Sequence, residues 1–118
     1  MKKMILMLSL FIAPITSANA YLIINPASME FGGVQIGTQA SQMFFINNVG
    51  NTDARIQWCN VFGAFRCQLN CYGTLSAGES CSGTIFFHPE TLNYEFETVN
   101  IQTNEGNLMM TVHGFGRN

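Results

Sequence analysis

Four cysteines and two histidines are the side chains of this 118-residue chain with reactivity of their own. Cys59, Cys67, Cys71 and Cys81 follow the spacing C-x7-C-x3-C-x9-C. Thiolates can hold zinc, but zinc ribbons use paired C-x2-C knuckles, which this spacing lacks, and a thiolate cluster outside the cell tends to oxidise. An even number of cysteines in an oxidising compartment points to disulfides. Four cysteines allow three pairings. Cys71 with Cys81 and Cys59 with Cys67 are favoured, because each closes a short local loop worth roughly 2 to 3 kcal/mol through restriction of the unfolded chain.

Acid–base chemistry is thinly provided. His88 and His113 fall at outward positions of strand-like segments, where an imidazole needs a special neighbour to be tuned. Glu95 and Glu97 flank Phe96 on one strand face and read as solubilising acids rather than an acid/base pair. Phe31-Gly32-Gly33 opens no helix and is no phosphate loop. No D-x-D-x-D calcium loop occurs. The expected protein is not an enzyme, with no catalytic residue, metal or cofactor. A small secreted enzyme working through His88 or His113 is the remote alternative.

The compartment follows from the first twenty residues. Lys2 and Lys3 precede an apolar run from Met4 to Ile15, and Ala18-Asn19-Ala20 forms a small-x-small cleavage motif. This is the pattern of a secretory signal peptide, too short for a membrane span. Residues 21–118 are then expected as one exported domain, periplasmic or extracellular, with no membrane span after cleavage. Its cations are Arg55, Arg66 and Arg117 alone, against seven carboxylates. An acidic chain without a basic stripe does not suit nucleic acid.

Short strand signals fill the rest. Tyr21 to Asn25 is β-prone and stops at Pro26. Ala27 to Phe31 continues extended, Gly32-Gly33 breaks it, and Val34 to Ile36 alternates before Gly37-Thr38. Gln42 to Asn48 places Phe44, Ile46 and Asn48 on one face, and Ala54 to Cys59 places Ala54, Ile56 and Trp58 together. Asn60 to Asn70 is irregular. Cys81, Gly83, Ile85 and Phe87 share a face up to Pro89. Phe96 to Thr103 points Val99 and Ile101 inward. Asn104-Glu105-Gly106-Asn107 is a hairpin signal, and Leu108, Met110 and Val112 face inward after it. Outside the signal segment no helical periodicity is sustained. The pattern predicts an all-β antiparallel β-sandwich of about seven strands, stapled by disulfides.

Four motifs in order resemble one family. Ser28-Met29-Glu30-Phe31-Gly32-Gly33-Val34-Gln35-Ile36-Gly37 is similar to the opening of the ASPM/SPD-2/Hydin (ASH-like) immunoglobulin-like domains. Phe44-Phe45-Ile46-Asn47-Asn48-Val49-Gly50 resembles their "V-x-L-x-N-x-G". Leu75 to Cys81 followed by Ile85-Phe86-Phe87-His88-Pro89 is similar to the bacterial "L-x-x-G-x-S-C … V-x-F-x-P", and Val112 to Gly116 to the closing "L-x-G-x-G". The resemblance implies a seven-stranded sandwich used as a non-catalytic module for binding or spacing. Cys59 and Cys67 have no counterpart in these motifs.

Two features are candidates for contact with a protein partner in a bacterial envelope or at the cell surface. One is the segment from Trp58 to Tyr72, whose Trp58, Phe62, Phe65 and Tyr72 lie between or beside cysteines; Phe62 and Phe65 folding back as a lid on the core is the favoured alternative. The other is Tyr21, Leu22, Ile23 and Ile24, an unpaired-looking edge segment suited to strand addition or to a self-assembling fibre or homo-oligomer; the plainer expectation is a first strand of the domain.

Overall fold

The computed structural model describes residues 19–118, so the expected signal peptide lies outside the described residues except for Asn19 and Ala20. Among the described residues nine strands form two sheets: β1 (Leu22–Asn25), β2 (Ser28–Gln35), β3 (Ala40–Asn48), β4 (Ala54–Asn60), β5 (Phe65–Leu69), β6 (Gly73–Leu75), β7 (Ser80–Phe87), β8 (Tyr94–Thr103) and β9 (Gly106–Arg117). The four-stranded sheet has the order β1-β3-β7-β5, and the five-stranded sheet β2-β9-β8-β4-β6. Every pairing is antiparallel except β2 with β9, which run parallel. No hairpin joins that pair, so nothing obliges it to be antiparallel.

The core lies where the inward faces of the two sheets meet. Phe44, Ile46, Phe65, Ile85 and Phe87 come from one sheet, and Ile56, Val99, Ile101, Met110 and Val112 from the other; all are buried. The alternation seen in sequence therefore sets the inward faces of β3, β7, β8 and β9. The β8–β9 hairpin closes through Asn104 and Glu105, with Thr103 paired to Gly106. Phe65 and Phe87 stack with ring centroids 4.6 Å apart, and Phe31 tilts against both.

Asn48 ends the inward row of β3 as a buried polar side chain. Its Nδ2 donates to the carbonyls of Thr52 and Leu75, at 2.8 and 3.0 Å. Its Oδ1 accepts from the Gly50 and Tyr21 amides, at 3.0 and 3.4 Å. An amide has two hydrogens to give and two lone pairs to fill, and all four are used. The side chain thus ties together the chain before β1, the β3–β4 turn and β6.

Several segments differ from their sequence reading. Gly32-Gly33 does not end a strand: β2 runs through it with a bulge between Glu30 and Gly33, and Gly32 takes φ 67°. The irregular stretch after Asn60 contains β5, a short edge strand on β7. Tyr21 to Asn25 is not unpaired, because Leu22–Asn25 pairs with β3 and turns Leu22 and Ile24 toward the core. Trp58 does not join Ala54 and Ile56 inside. A bulge sets Ile56 opposite Thr103 and Trp58 opposite Gln102, so the inward position passes to Cys59. Glu95 and Glu97 do not lie on an exposed face; they share the inward side with Val99 and Ile101 and are half-buried, Glu97 beside Gly63.

Candidate functional site

The cysteines and the aromatic segment are placed by the β4–β5 connection. Cys59 on β4 bonds to Cys67 on β5, joining the two sheets, and Cys71 bonds to Cys81 on β7. Phe65 is only 1% exposed and belongs to the core stack, so it offers no surface for a partner. Phe62 is 66% exposed at the tip of the loop between those strands. A strand alternates its side chains: Phe65 begins β5 facing inward, whereas Phe62 precedes it in the loop. Trp58 and Tyr72 are also exposed. The four residues therefore do not form one site.

Trp58 instead belongs to the outer face of the five-stranded sheet. On β8 the residues out of phase with Val99 and Ile101 are Tyr94, Phe96, Thr98, Asn100 and Gln102. On β9 they are Met109, Thr111, His113 and Phe115. Tyr94 stands opposite Phe115, Phe96 opposite His113, and Asn100 opposite Met109. Tyr94, Phe96, Met109 and Phe115 are exposed, as is Trp58 across from Gln102. Tyr72, just before β6, is exposed but lies outside the strand.

The rings at the β9 end of this face are held in place. His113 Nδ1 lies between the Glu30 carboxylate and the Tyr94 hydroxyl, the latter at 2.9 Å. A carboxylate only accepts, so Nδ1 carries a hydrogen toward Glu30. Phe96 stacks on the imidazole with centroids 5.8 Å apart and planes 25° from parallel. Rings fixed by such contacts lose little entropy when a partner covers them. Sequence reading did not single out Tyr94, Phe96, Met109 or Phe115. The signal was present in the alternation that puts Val99, Ile101, Met110 and Val112 inside.

A polar cleft of about 290 Å³ opens at the end of the sandwich, lined by Gln39, Gly63, Ala64, Arg66, His88 and Glu90. His88 Nδ1 is 3.2 Å from Glu90 Oε2, and Arg66 donates to Gln39 Oε1 at 3.2 Å. A histidine oriented by a carboxylate is two-thirds of a nucleophilic triad, yet this lining contains no hydroxyl or thiol. His88 and His113 sit in separate clusters. Among the described residues no three His, Cys, Asp or Glu side chains converge for a metal ion. No helix among them is long and apolar enough to cross a membrane.

Two packed sheets, a strand that changes sheet after β1 and a parallel pairing at one edge define an Ig-like sandwich. The chain belongs to the HYDIN/CFA65/VesB-like Ig-like domain family, whose model matches residues 20–114. No curated protein sequence matches it. Among solved structures it is similar to a Porphyromonas gingivalis protein of unknown function (TM-score 0.73, 14% identity, 87% of this chain and 50% of that one). It is also similar to the ASH/PapD-like domain 7 of human CEP192 (TM-score 0.66, 16% identity, 95% and 96%). A third likeness is to the secreted serine protease VesC of Vibrio cholerae (TM-score 0.58, 18% identity, 74% of this chain and 21% of that one). The chain thus spans half of the first protein and about a fifth of VesC, and the likeness is one of fold.

Proposed function

We propose that the protein is an exported, non-enzymatic Ig-like module that acts by protein–protein contact in a bacterial envelope or surface complex. The observation that carries this reading is the outer face of the five-stranded sheet, where Trp58, Tyr94, Phe96, Met109 and Phe115 stand exposed and the rings around His113 are fixed. Exposed apolar patches beyond a few hundred Å² mark interaction sites on soluble proteins, and aromatic side chains are favoured anchors. Export is supported by the two disulfides and by the fold shared with a secreted Vibrio protein. A fibre built by donating Tyr21–Asn25 is less favoured, because those residues already pair with β3.

The test is site-specific photocrosslinking in intact cells. A photoreactive phenylalanine analogue at Phe96 should give a discrete protein adduct, and the same probe at Glu105, on the hairpin turn, should not. No adduct at Phe96 removes this reading.

A further inference from the structure

We infer that the partner for this face is a second copy of the chain, stacked through its five-stranded sheet about a two-fold axis. The inference rests on the functional reading above and names the occupant of the same surface.

The first argument is area. Aromatic side chains offer roughly 150–250 Å² each when buried, and Trp58, Tyr94, Phe96 and Phe115 each leave between about two-fifths and three-fifths of their surface open. With Met109, these side chains supply on the order of 400–600 Å². The half-buried Asn, Gln and Thr side chains between them carry the face to roughly 600–800 Å², within the range of about 600–1,000 Å² that each partner contributes to a stable interface.

The second argument is charge. The formal charge is −2 for the full sequence and 3 − 7 = −4 for residues 21–118, so a second copy is repelled unless the contact is locally neutral. Along the outward side of β8, from Tyr94 to Gln102, no residue is an acid, lysine or arginine, and none is on β9 from Met109 to Phe115, where His113 faces the Glu30 carboxylate. The charges at the margins are of both signs: Glu30 by β2, Arg55 on β4 and Arg117 at the end of β9. Two such faces meet without a row of like charges, which suits a self-complementary contact. Sheets also stack on sheets readily, about 10 Å apart with strands near 30°. The other sheet exposes Ile23, Met43 and Phe45 on its outer side, a smaller group near the β1 edge, and it serves as the control.

Sedimentation velocity of the purified protein, from low to high micromolar, tests the proposal. A concentration-dependent dimer is expected. Phe96→Ser with Trp58→Ser should weaken self-association at least tenfold, Met109→Glu should do the same from a single exposed site, and Phe45→Ser should leave the dimer intact. All substituted positions are exposed, and unchanged thermal unfolding of dilute samples verifies that the variants fold. A monomer at every concentration overturns the proposal. So does a dimer indifferent to the Phe96/Trp58 and Met109 changes, or one lost in Phe45→Ser. An adduct at Phe96 with a different protein, from a chain that sediments as a monomer, overturns the second-copy proposal while leaving the functional reading standing.

Discussion

The ring of Phe44 on β3 lies directly over Gly83, its cross-strand partner on β7, and occupies the space a Cβ at that position would need. The pair shows why a glycine stands in the middle of a central core strand, where it ordinarily weakens the structure. Gly83 yields its side-chain volume to an aromatic neighbour. Gly83→Ala should destabilise the domain by about 1 to 3 kcal/mol through overpacking. Phe44→Leu in the same chain should recover part of that loss. A double-mutant cycle on urea midpoints checks this; strictly additive effects would mean the two residues are not coupled.

Asn48 is the second position at which chemistry, not size, is decisive. Asn48→Asp sets a carboxylate against the carbonyls of Thr52 and Leu75, which only accept. The loss should be at least about 3 kcal/mol at neutral pH. The sign with pH is set by the donor: a protonated carboxyl can donate to one carbonyl, so the variant's deficit relative to the parent should shrink as pH falls toward about 3. Paired denaturant titrations at the two pH values measure it.

Phe62 and Phe65 are three residues apart and should behave oppositely. Phe65→Ala removes a ring from the stack with Phe87 and should cost about 3 to 5 kcal/mol. Phe62→Ala, at the exposed loop tip, should change stability by no more than about 0.5 kcal/mol. Thermal unfolding of the two variants side by side decides whether Phe62 also serves as a lid.

Cys59–Cys67 fastens β5 to the opposite sheet, and β5 is otherwise an edge strand of five residues. Replacing both cysteines by alanine should cost about 2 to 3 kcal/mol. The loss should be local first: hydrogen exchange of the Phe65–Leu69 amides should accelerate more than that of β8, whose neighbours on both sides remain. Equal acceleration everywhere would show that the bond supports the whole domain.

How much of this was legible in the residues depends on which interaction decides each element. Phe44-x-Ile46-x-Asn48, Ile85-x-Phe87, Val99-x-Ile101 and Met110-x-Val112 were readable because alternation alone sets the inward face of a paired strand. Trp58 was misread because a bulge adds one residue between Ile56 and Trp58, and a shift of one reverses every later side chain. Gly32-Gly33 was misread for the same reason. β5 was hidden because a five-residue edge strand owes its form to β7 and to Cys67 rather than to its own pattern. The outer aromatic face was implicit in the inward assignments, but its significance needs β4, β8 and β9 side by side. That is a tertiary fact with no local signature.

The course of the first two strands has a mechanical consequence. β2 runs parallel to β9, with Gln35 beside Arg117, while β1 leads into β2 from the opposite end of the sandwich. Tension between the first and last described residues therefore pulls β2 and β9 in opposite directions along their length. Their ladder is loaded in shear, with its hydrogen bonds sharing the force, rather than peeled open one bond at a time. The antiparallel contact of β1 with β3 is loaded in the same way. Strung between two anchors, such a domain would yield little until the shared load broke many bonds together.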